Sequence, residues 1–329
     1  MAVPTSQLRA GIDYPRNRIE FDEFFPDDEV CLRYLERLRW GDAFTCPRCS
    51  SKEPPWRSSR RRLVCLRCRF QASVLSGTIF HRTRTPLRHW FLAAWEITSQ
   101  KYGASALGLQ RTLGLGSYQT AWAWLHKFRR AMVVPDRDQL SGIVEADESY
   151  LGGPEAGAYG RRTLKKTIVV LAVEINDNRI GRIRLRKVPN VRREALTSFL
   201  SDVVLPGSVI RTDGWKGYRP LKGMGYGHEV IAISQSPEPA HIVMPSVHMV
   251  FSLLKRWILG TLQGGISKEH LPYYLDEYTF RFNRWASRAR GLLFYRLLEQ
   301  AVRCPHTPTA ALYQGTGRGP RSRAESTQT

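Results

Sequence analysis

The chain has 329 residues, about two domains at roughly 150 residues each, and its 42% apolar content excludes wholesale disorder. Its 50 lysines and arginines outnumber its 29 aspartates and glutamates, giving a net charge of +21 that predicts a polyanionic partner. A membrane-spanning or secreted protein is not expected, because no run approaches about 18 apolar residues and the N-terminus has no apolar signal segment.

Four of the six cysteines form two C-x2-C pairs near the N-terminus. The pairs, CPRC (46–49) and CLRC (65–68), are separated by 15 residues. Each pair turns the chain so that two thiolates face one ion, and two pairs complete a tetrahedral sulfur site. The sequence therefore predicts a structural zinc ion bound by Cys46, Cys49, Cys65 and Cys68; the alternative is four unrelated buried cysteines.

Arginines are concentrated between and after the cysteine pairs, and no acidic residue occurs from 57 to 69. Such a run is usually only a solvated surface. Because this run lies on a metal-bound ribbon in a strongly basic chain, we expect contact with DNA phosphates at least as strongly as a solvated surface. The predicted contacts are Arg60, Arg61 and Arg62.

Helices are predicted after the ribbon. Apolar residues recur at three- and four-residue steps over 87–95. A second helix, a turn containing Gly114 and Gly116, and a third helix over 118–132 follow. This order fits either a DNA-binding helix-turn-helix or a helical hairpin in a small core, and the net charge mildly favours DNA. The predicted contacts are Lys127, Arg129 and Arg130.

From residue 142 the sequence changes to short β-rich runs. Three strands are predicted over 142–153, 166–177 and 179–188, followed by a helix at 192–203, a strand at 208–218, a fifth strand at 225–233, and helices at 245–260 and 270–300. This order predicts an α/β fold with a mixed sheet. The basic run from Arg179 to Arg193 is expected either to contact DNA or to protect a sheet edge.

Two aspartates stand out among these strands. Asp147 lies within the first strand, where an acid without a partner is unfavourable, and Asp213 lies at the end of the fourth. If these strands are neighbours, their carboxylates would repel each other unless a divalent cation joined them, and oxygen ligands suit magnesium or manganese. Two such ions about 3.5–4 Å apart would activate an attacking oxygen and stabilise a leaving one at phosphorus.

Taken together, the motifs resemble those of bacterial insertion-sequence transposases of the ISXO2-like group. The matching segments are CPRC…CLRC, SVLSGTIFHRTRTPLRHWF, VEADESYLGG, TDGWKGY, H-x-x-x-S-x-L-K-R and HLPYYLDEYTFRFNRW. The resemblance implies a zinc ribbon followed by an RNase H-like catalytic core of the DDE type. It also implies a DNA transposase that binds terminal inverted repeats, cuts and joins double-stranded DNA, acts as a homo-oligomer, and lies with the nucleoid in the bacterial cytoplasm.

The resemblance makes Asp147 and Asp213 the first two catalytic metal ligands and places a third about 35 residues later on a helix. His248 follows Asp213 with 34 residues between them, where many relatives carry Glu. Lys255 lies seven residues further on the same helical face, beside Arg256, and both are predicted to contact DNA.

Imidazole is softer than carboxylate and brings no negative charge. We therefore hypothesise that the second metal ion binds weakly and that manganese supports activity better than magnesium. A role for His248 as a proton carrier stays open, since the usual imidazole pKa of about 6.5 allows either function.

The predicted domains are a flexible N-terminus (1–18), a zinc ribbon (19–80), a helical DNA-binding connector (84–134), the RNase H-like catalytic domain (141–302) and a disordered basic tail (303–329). Three other functions are considered. They are a catalytically inactive, transposase-derived DNA-binding protein in which His248 marks decay, an RNase H-like nuclease that cuts without joining, and a zinc-ribbon transcription factor.

Overall fold

The computed structural model describes residues 7–41, 43–134, 137–152, 166–177, 179–231, 240–262, 265–287 and 289–313. The chain forms two compact units. The first comprises Met1–Val134 and Ser287–Thr329, and the second comprises Pro135–Ala286. In the described part of the chain, no helix is long and apolar enough to cross a membrane.

The first unit begins with two helices that the sequence analysis did not predict, α1 (Arg18–Phe24) and α2 (Asp28–Trp40). Both have a side-chain cap. Asn17 and Asp27 each accept a hydrogen bond from the amide three residues further on, at 3.0 and 2.9 Å. These caps satisfy backbone donors that the helix itself leaves unpaired.

A small antiparallel sheet and three helices complete the N-terminal part of this unit. The sheet has the order β1 (Trp56–Arg57), β2 (Leu63–Val64), β3 (Gln71–Ala72). The helices are α3 (Leu87–Ser99), α4 (Ala106–Leu113) and α5 (Tyr118–Ala131), which confirms the three helices predicted here.

The second unit is built on a five-stranded sheet. Its strands are β4 (Ile143–Leu151), β5 (Thr167–Asn176), β6 (Arg179–Val188), β7 (Val209–Thr212) and β8 (Gly227–Val230). Their order is β6-β5-β4-β7-β8, with β4 antiparallel to β5 and parallel to β7. This arrangement confirms the predicted mixed sheet and the RNase H-like fold class.

Helices cover both faces of this sheet. They are α6 (Arg193–Val203), a 3-10 helix (Lys216–Met224), the short α7 (Ala240–Val243), α8 (Pro245–Leu262) and α9 (Leu271–Phe282). Alternate residues of a strand point to opposite faces. Val144 and Ala146 accordingly pack with α6 and the 3-10 helix, whereas Val169 and Leu171 of β5 pack with α8 and α9. The predicted helices over 192–203 and 245–260 are confirmed.

The arginines of β6 have structural partners in the second unit. Arg182 pairs with Glu174 (Nη2–Oε1 2.6 Å), and Arg186 pairs with a carboxylate of α6 (2.8 Å). Arg184 is 4% exposed and donates to the carbonyl oxygen of Asp138 at 2.6 Å. Arg182 therefore holds β5, and Arg184 holds the segment before β4. Neither DNA contact nor protection of a sheet edge, the two roles predicted for this basic run, includes such contacts.

The last two helices belong to the first unit. They are α10 (Arg290–Ala301) and α11 (Thr309–Tyr313). Phe294 of α10 packs 5.6 Å from the rings of both Phe21 and Phe25, so α10 is part of the aromatic core there and not of the predicted catalytic domain 141–302. Tyr14, in the segment expected to be flexible, is buried, whereas 1–6 and 314–329 lie outside the described residues.

Candidate functional site

Two equivalent turns hold the four cysteines. In each turn the residue after the second cysteine, Ser50 or Arg69, has a left-handed backbone (φ 56° and 60°). Each of these residues donates its amide to the carbonyl oxygen of the first cysteine of its pair, at 2.9 Å. The first cysteine in turn donates to the carbonyl two residues beyond the pair, at 2.9 and 3.0 Å. Equal spacing thus produces equal geometry.

The turns bring the four sulfur atoms within 4.8 Å of one another. The Sγ atoms are 3.6 Å apart both in Cys46–Cys68 and in Cys49–Cys65. Burial opposes ionisation of Cys46, but hydrogen bonds from the amides of Cys49 and Arg48 and from the neighbouring thiols outweigh it and lower its pKa, whereas bonding to the same group of thiols raises the pKa of Cys49. The predicted convergence is confirmed, and four thiolates are a donor set that fits zinc.

The predicted DNA contacts of the first unit differ in exposure. Arg60, Arg61 and Arg62 are exposed, although Arg61 also lies 3.4 Å from Glu29. On α5, Arg130 is exposed, but Lys127 and Arg129 are only 9% and 1% exposed. A phosphate contact by either of the last two requires them to leave the interior.

Helix α5 is packed on most of its surface. Trp124 stacks on Trp90 at 4.0 Å, and the residues from Ala123 to Arg129 are all buried. Gly114 ends α4 in a left-handed conformation (φ 61°), and four residues separate the two helices. This packing favours the helical hairpin over a groove-reading second helix, because such a helix needs an accessible face.

In the second unit, parallel pairing brings together the two segments that carry the predicted aspartates. Ile143 pairs with Val209, and Glu145 pairs with Arg211. Asp147 and Asp213 each lie two residues beyond the last of these pairs, and the charges of both act on the buried hydroxyl of Tyr218. The expectation that the two strands are neighbours is therefore confirmed.

A tight turn fixes Asp213 at the end of β7. Its Oδ1 accepts a hydrogen bond from the amide of Trp215 at 2.9 Å. The indole of Trp215 donates to the carbonyl oxygen of Val191 at 2.9 Å. Gly214 has φ +83°, and an added Cβ would lie 2.8 Å from a methyl group of Val230, so the turn requires glycine.

A buried tyrosine links the two segments that carry the aspartates. The hydroxyl of Tyr218 donates to Glu148 Oε2 at 2.9 Å, and the amide of Glu148 donates to Asp147 Oδ1 at 2.8 Å. Burial, followed by the charges of Glu148, Asp147 and Asp213, raises the pKa of Tyr218. Tyr218 is not among the predicted site residues, although its motif, TDGWKGY, is a visible signal in the sequence.

A second buried acid of β4 holds the start of α8. Glu145 is 5% exposed, and its Oε2 accepts hydrogen bonds from the amides of Ser246 (3.1 Å) and Val247 (3.2 Å). These amides have no partner within the helix, and the carboxylate also complements the positive end of the helix dipole. Glu145 therefore fixes the helical turn that carries His248.

The remaining predicted residues lie on α8. His248 is half-buried, and Lys255 and Arg256 are exposed. Within the described ranges, the four cysteines are the only group of at least three potential metal ligands whose donor atoms all lie within 4.8 Å of one another. The ligand atoms of His248, Asp147 and Asp213 therefore do not all lie within 4.8 Å of one another. The carboxylate oxygens nevertheless suit a hard divalent cation.

Family models match both regions. A transposase zinc-ribbon domain matches residues 26–71, and an ISXO2-like transposase domain matches residues 139–283; together they cover more than half of the chain. The chain belongs to the ISXO2-like transposase family. The first match contains all four cysteines of this transposase, and the second contains both aspartates, His248 and Lys255.

Relatives of this ISXO2-like transposase carry similar descriptions. An uncharacterized protein in transposable element ISH50 of Halobacterium salinarum is 25% identical over 280 residues, covering 78% of this chain and 91% of the relative. An uncharacterized transposase-like protein of Haemophilus influenzae is 26% identical over 115 residues, covering 35% of this chain and 92% of its own length.

Solved structures of Mos1 complexes are distant matches. The Mos1 strand transfer complex has 13% identity and a TM-score of 0.26, and a pre-cleavage Mos1 transpososome has 11% identity and a TM-score of 0.21. Each match covers 71% of this chain and 81% of the other.

Proposed function

We propose that this ISXO2-like transposase binds the terminal inverted repeats of its element and catalyses metal-dependent phosphodiester hydrolysis and strand transfer. The observation that carries the proposal is the parallel pairing of β4 with β7, because Asp147 and Asp213 each follow the last paired residues by two positions. Both reactions are in-line displacements at phosphorus, so one site serves both.

Each residue has a distinct role in this proposal. Asp147 and Asp213 hold magnesium or manganese, with His248 as a third ligand or a proton carrier. A divalent metal at such a site supplies Lewis-acid stabilisation of the attacking and leaving oxygens. Lys255, two helical turns beyond His248, and its neighbour Arg256 are exposed and contact the phosphates near the cut.

The first unit supplies recognition. A structural zinc ion holds the ribbon, and the exposed Arg60, Arg61, Arg62 and Arg130 supply positive charge for the DNA backbone. Because two transposon ends must be held for joining to one target, the active species is a homodimer or a larger oligomer.

Strand transfer by the full chain tests the proposal. A labelled duplex ending in the inverted repeat that flanks the gene is incubated with target DNA and either manganese or magnesium. We expect joined products with wild type and with Asp202→Asn. This variant is the matched control, because it makes the same substitution at an exposed aspartate of α6. We expect none with Asp213→Asn, although this variant should still bind the duplex.

The experiment also separates the other functions. Binding of the duplex by wild type without nicking or joining would support the catalytically inactive DNA-binding protein instead. Cutting without joining, and without dependence on the inverted repeat, would support a nuclease. Equal or better turnover with magnesium would contradict the hypothesis that manganese is preferred.

A further inference from the structure

The first unit contains a groove that has no assigned role. It has a volume of about 920 Å³ and is lined by the ribbon, by segment 73–83 and by the residues that follow α10, and Arg39 and Trp40 at the end of α2 complete its wall. Arginines reach it from all three parts: Arg62, Arg82 and Arg303. None of its described lining residues is acidic, so the lining itself offers no repulsion to an anion.

Segment 73–83, part of the motif SVLSGTIFHRTRTPLRHWF, is held firmly against this groove. The guanidinium group of Arg39 donates to the carbonyl oxygens of Ser73 (3.2 Å) and Ser76 (3.0 Å). The amide of His306 donates to Gly77 at 3.0 Å, and its ring packs 4.6 Å from that of His81. Arg39 is thus a structural arginine, and its bonds hold the segment in one position.

Arg82 has an unusual backbone in this segment. Its φ is +54°, a left-handed conformation that is unfavourable for a residue with a Cβ, and its side chain is exposed. Conformations of this kind persist where surrounding structure enforces them, in tight turns such as those of Ser50 and Arg69 and also at binding and catalytic sites. The fixed backbone gives Arg82 a defined direction from the groove wall.

Arg62 is the second cation of the groove that is available to a ligand. It is exposed, and within the described ranges its guanidinium group makes one hydrogen bond, a long one to Gln71 (3.4 Å). Arg303 is less available, because it donates to a backbone carbonyl of α2 at 3.2 Å and lies 3.8 Å from Glu299. The two available cations come from different parts of the chain and so present separate positive charges to a ligand.

We propose that this groove binds the phosphate backbone of the transposon end, with Arg62 and Arg82 each contacting a phosphate. Separate cations on a preformed, acid-free wall match the repeating charges of a nucleic-acid strand. The inference rests on the proposed function, which supplies the DNA, and it extends the ribbon contact of Arg62 to Arg82 and segment 73–83, which the proposed function does not include.

Salt-dependent DNA binding by the full chain tests this site. The probe is the duplex carrying the inverted repeat, and the variants are Arg82→Gly, Arg62→Ala and the double variant. Glycine adopts φ +54° without strain, so Arg82→Gly removes the cation while the backbone conformation is kept. Arg33→Ala is the matched control, because Arg33 is 69% exposed and lies outside the groove.

Each groove variant is expected to weaken binding several-fold and to reduce the slope of log K against log salt by about one, and the double variant by about two. Arg33→Ala should match wild type. Wild-type binding with a slope unchanged in Arg82→Gly would overturn the groove and leave the proposed function standing. Absence of wild-type binding to any duplex would overturn both.

Discussion

The two candidate metal sites are assembled in opposite ways. The four cysteines lie within 46–68, and two turns with the same hydrogen bonds bring their sulfurs together. Asp147 and Asp213 are 66 residues apart, and the segments that carry them become neighbours only because β4 and β7 pair in parallel. The first site depends on local spacing, and the second depends on the whole sheet.

This difference predicts which region depends on metal for its fold. The strands of the ribbon have two residues each, and its buried cluster has five side chains, two of which are cysteines. So small a core needs a metal ion for stability. The sheet of the second unit has a buried hydrophobic cluster on each face, so it is expected to fold without metal.

The largest expected effect comes from removing zinc from the ribbon. Chelation or Cys65→Ser should cost about 10 kcal/mol of metal-binding free energy and unfold the ribbon. Hydrogen exchange should show loss of protection in 46–72 and unchanged protection in β4 and β5. Cys304→Ser is the control, since Cys304 lies outside the cluster. Protected ribbon amides after chelation would show that the ribbon's own packing suffices.

The next effect concerns the third position of the carboxylate site. His248→Ala should lower strand transfer about 100-fold, because it removes either a metal ligand or a proton carrier. Single-turnover rates measure this, with the exposed Ser252→Ala on the same helix as the control. Equal strand-transfer rates for His248→Ala and the control would show that His248 is neither a metal ligand nor a proton carrier in the reaction. Recovery in His248→Glu would indicate a ligand role.

A smaller effect is expected from the acid that holds α8. Glu145→Ala leaves the amides of Ser246 and Val247 without their acceptor and should cost about 1–3 kcal/mol in the free energy of unfolding. Glu145→Gln should cost less, because its amide oxygen still accepts. Urea unfolding measures both, with the exposed Glu229→Ala as the control. Equal midpoints for Glu145→Ala and the control would show that α8 does not need this bond.

The smallest effect is a pH dependence. Burial opposes ionisation of Glu174, but the bonds from Arg182 and the amide of Ser141 outweigh it and lower its pKa from 4.5 to about 2. The ionised pair should stabilise the fold by about 1–2 kcal/mol above pH 4.5, less than the full shift implies because Arg182 is partly exposed.

This contribution should disappear as the pH falls from about 4.5 to about 2, since the folded carboxyl becomes protonated only there. The difference in unfolding free energy between wild type and Glu174→Gln measures it across that range. A difference that stays constant down to pH 2 would contradict the assignment.

Features whose contacting residues lie close together along the chain could be predicted from the sequence, and features that join distant residues could not. The cysteine turns, the strands and α8 follow from local spacing and hydrophobic pattern. The cap on α8 joins Glu145 to Ser246, 101 residues away, and no local pattern marks that contact. The same limit explains why Lys127 and Arg129, basic and therefore expected at the surface, are buried: their exposure is set by how α5 packs with other helices.

The alternation of β4 has a consequence for how such elements diverge. Glu145 reaches α8 on one face of the sheet, and Glu148 reaches Tyr218 on the other. Deleting a single residue between them would move every later side chain to the opposite face. Selection should therefore eliminate mutations that change the length of β4. Length changes in the loops that join the elements between β4 and β7 preserve the pairing. Lineages of this transposase should record insertions and deletions in those loops and only substitutions in the strand.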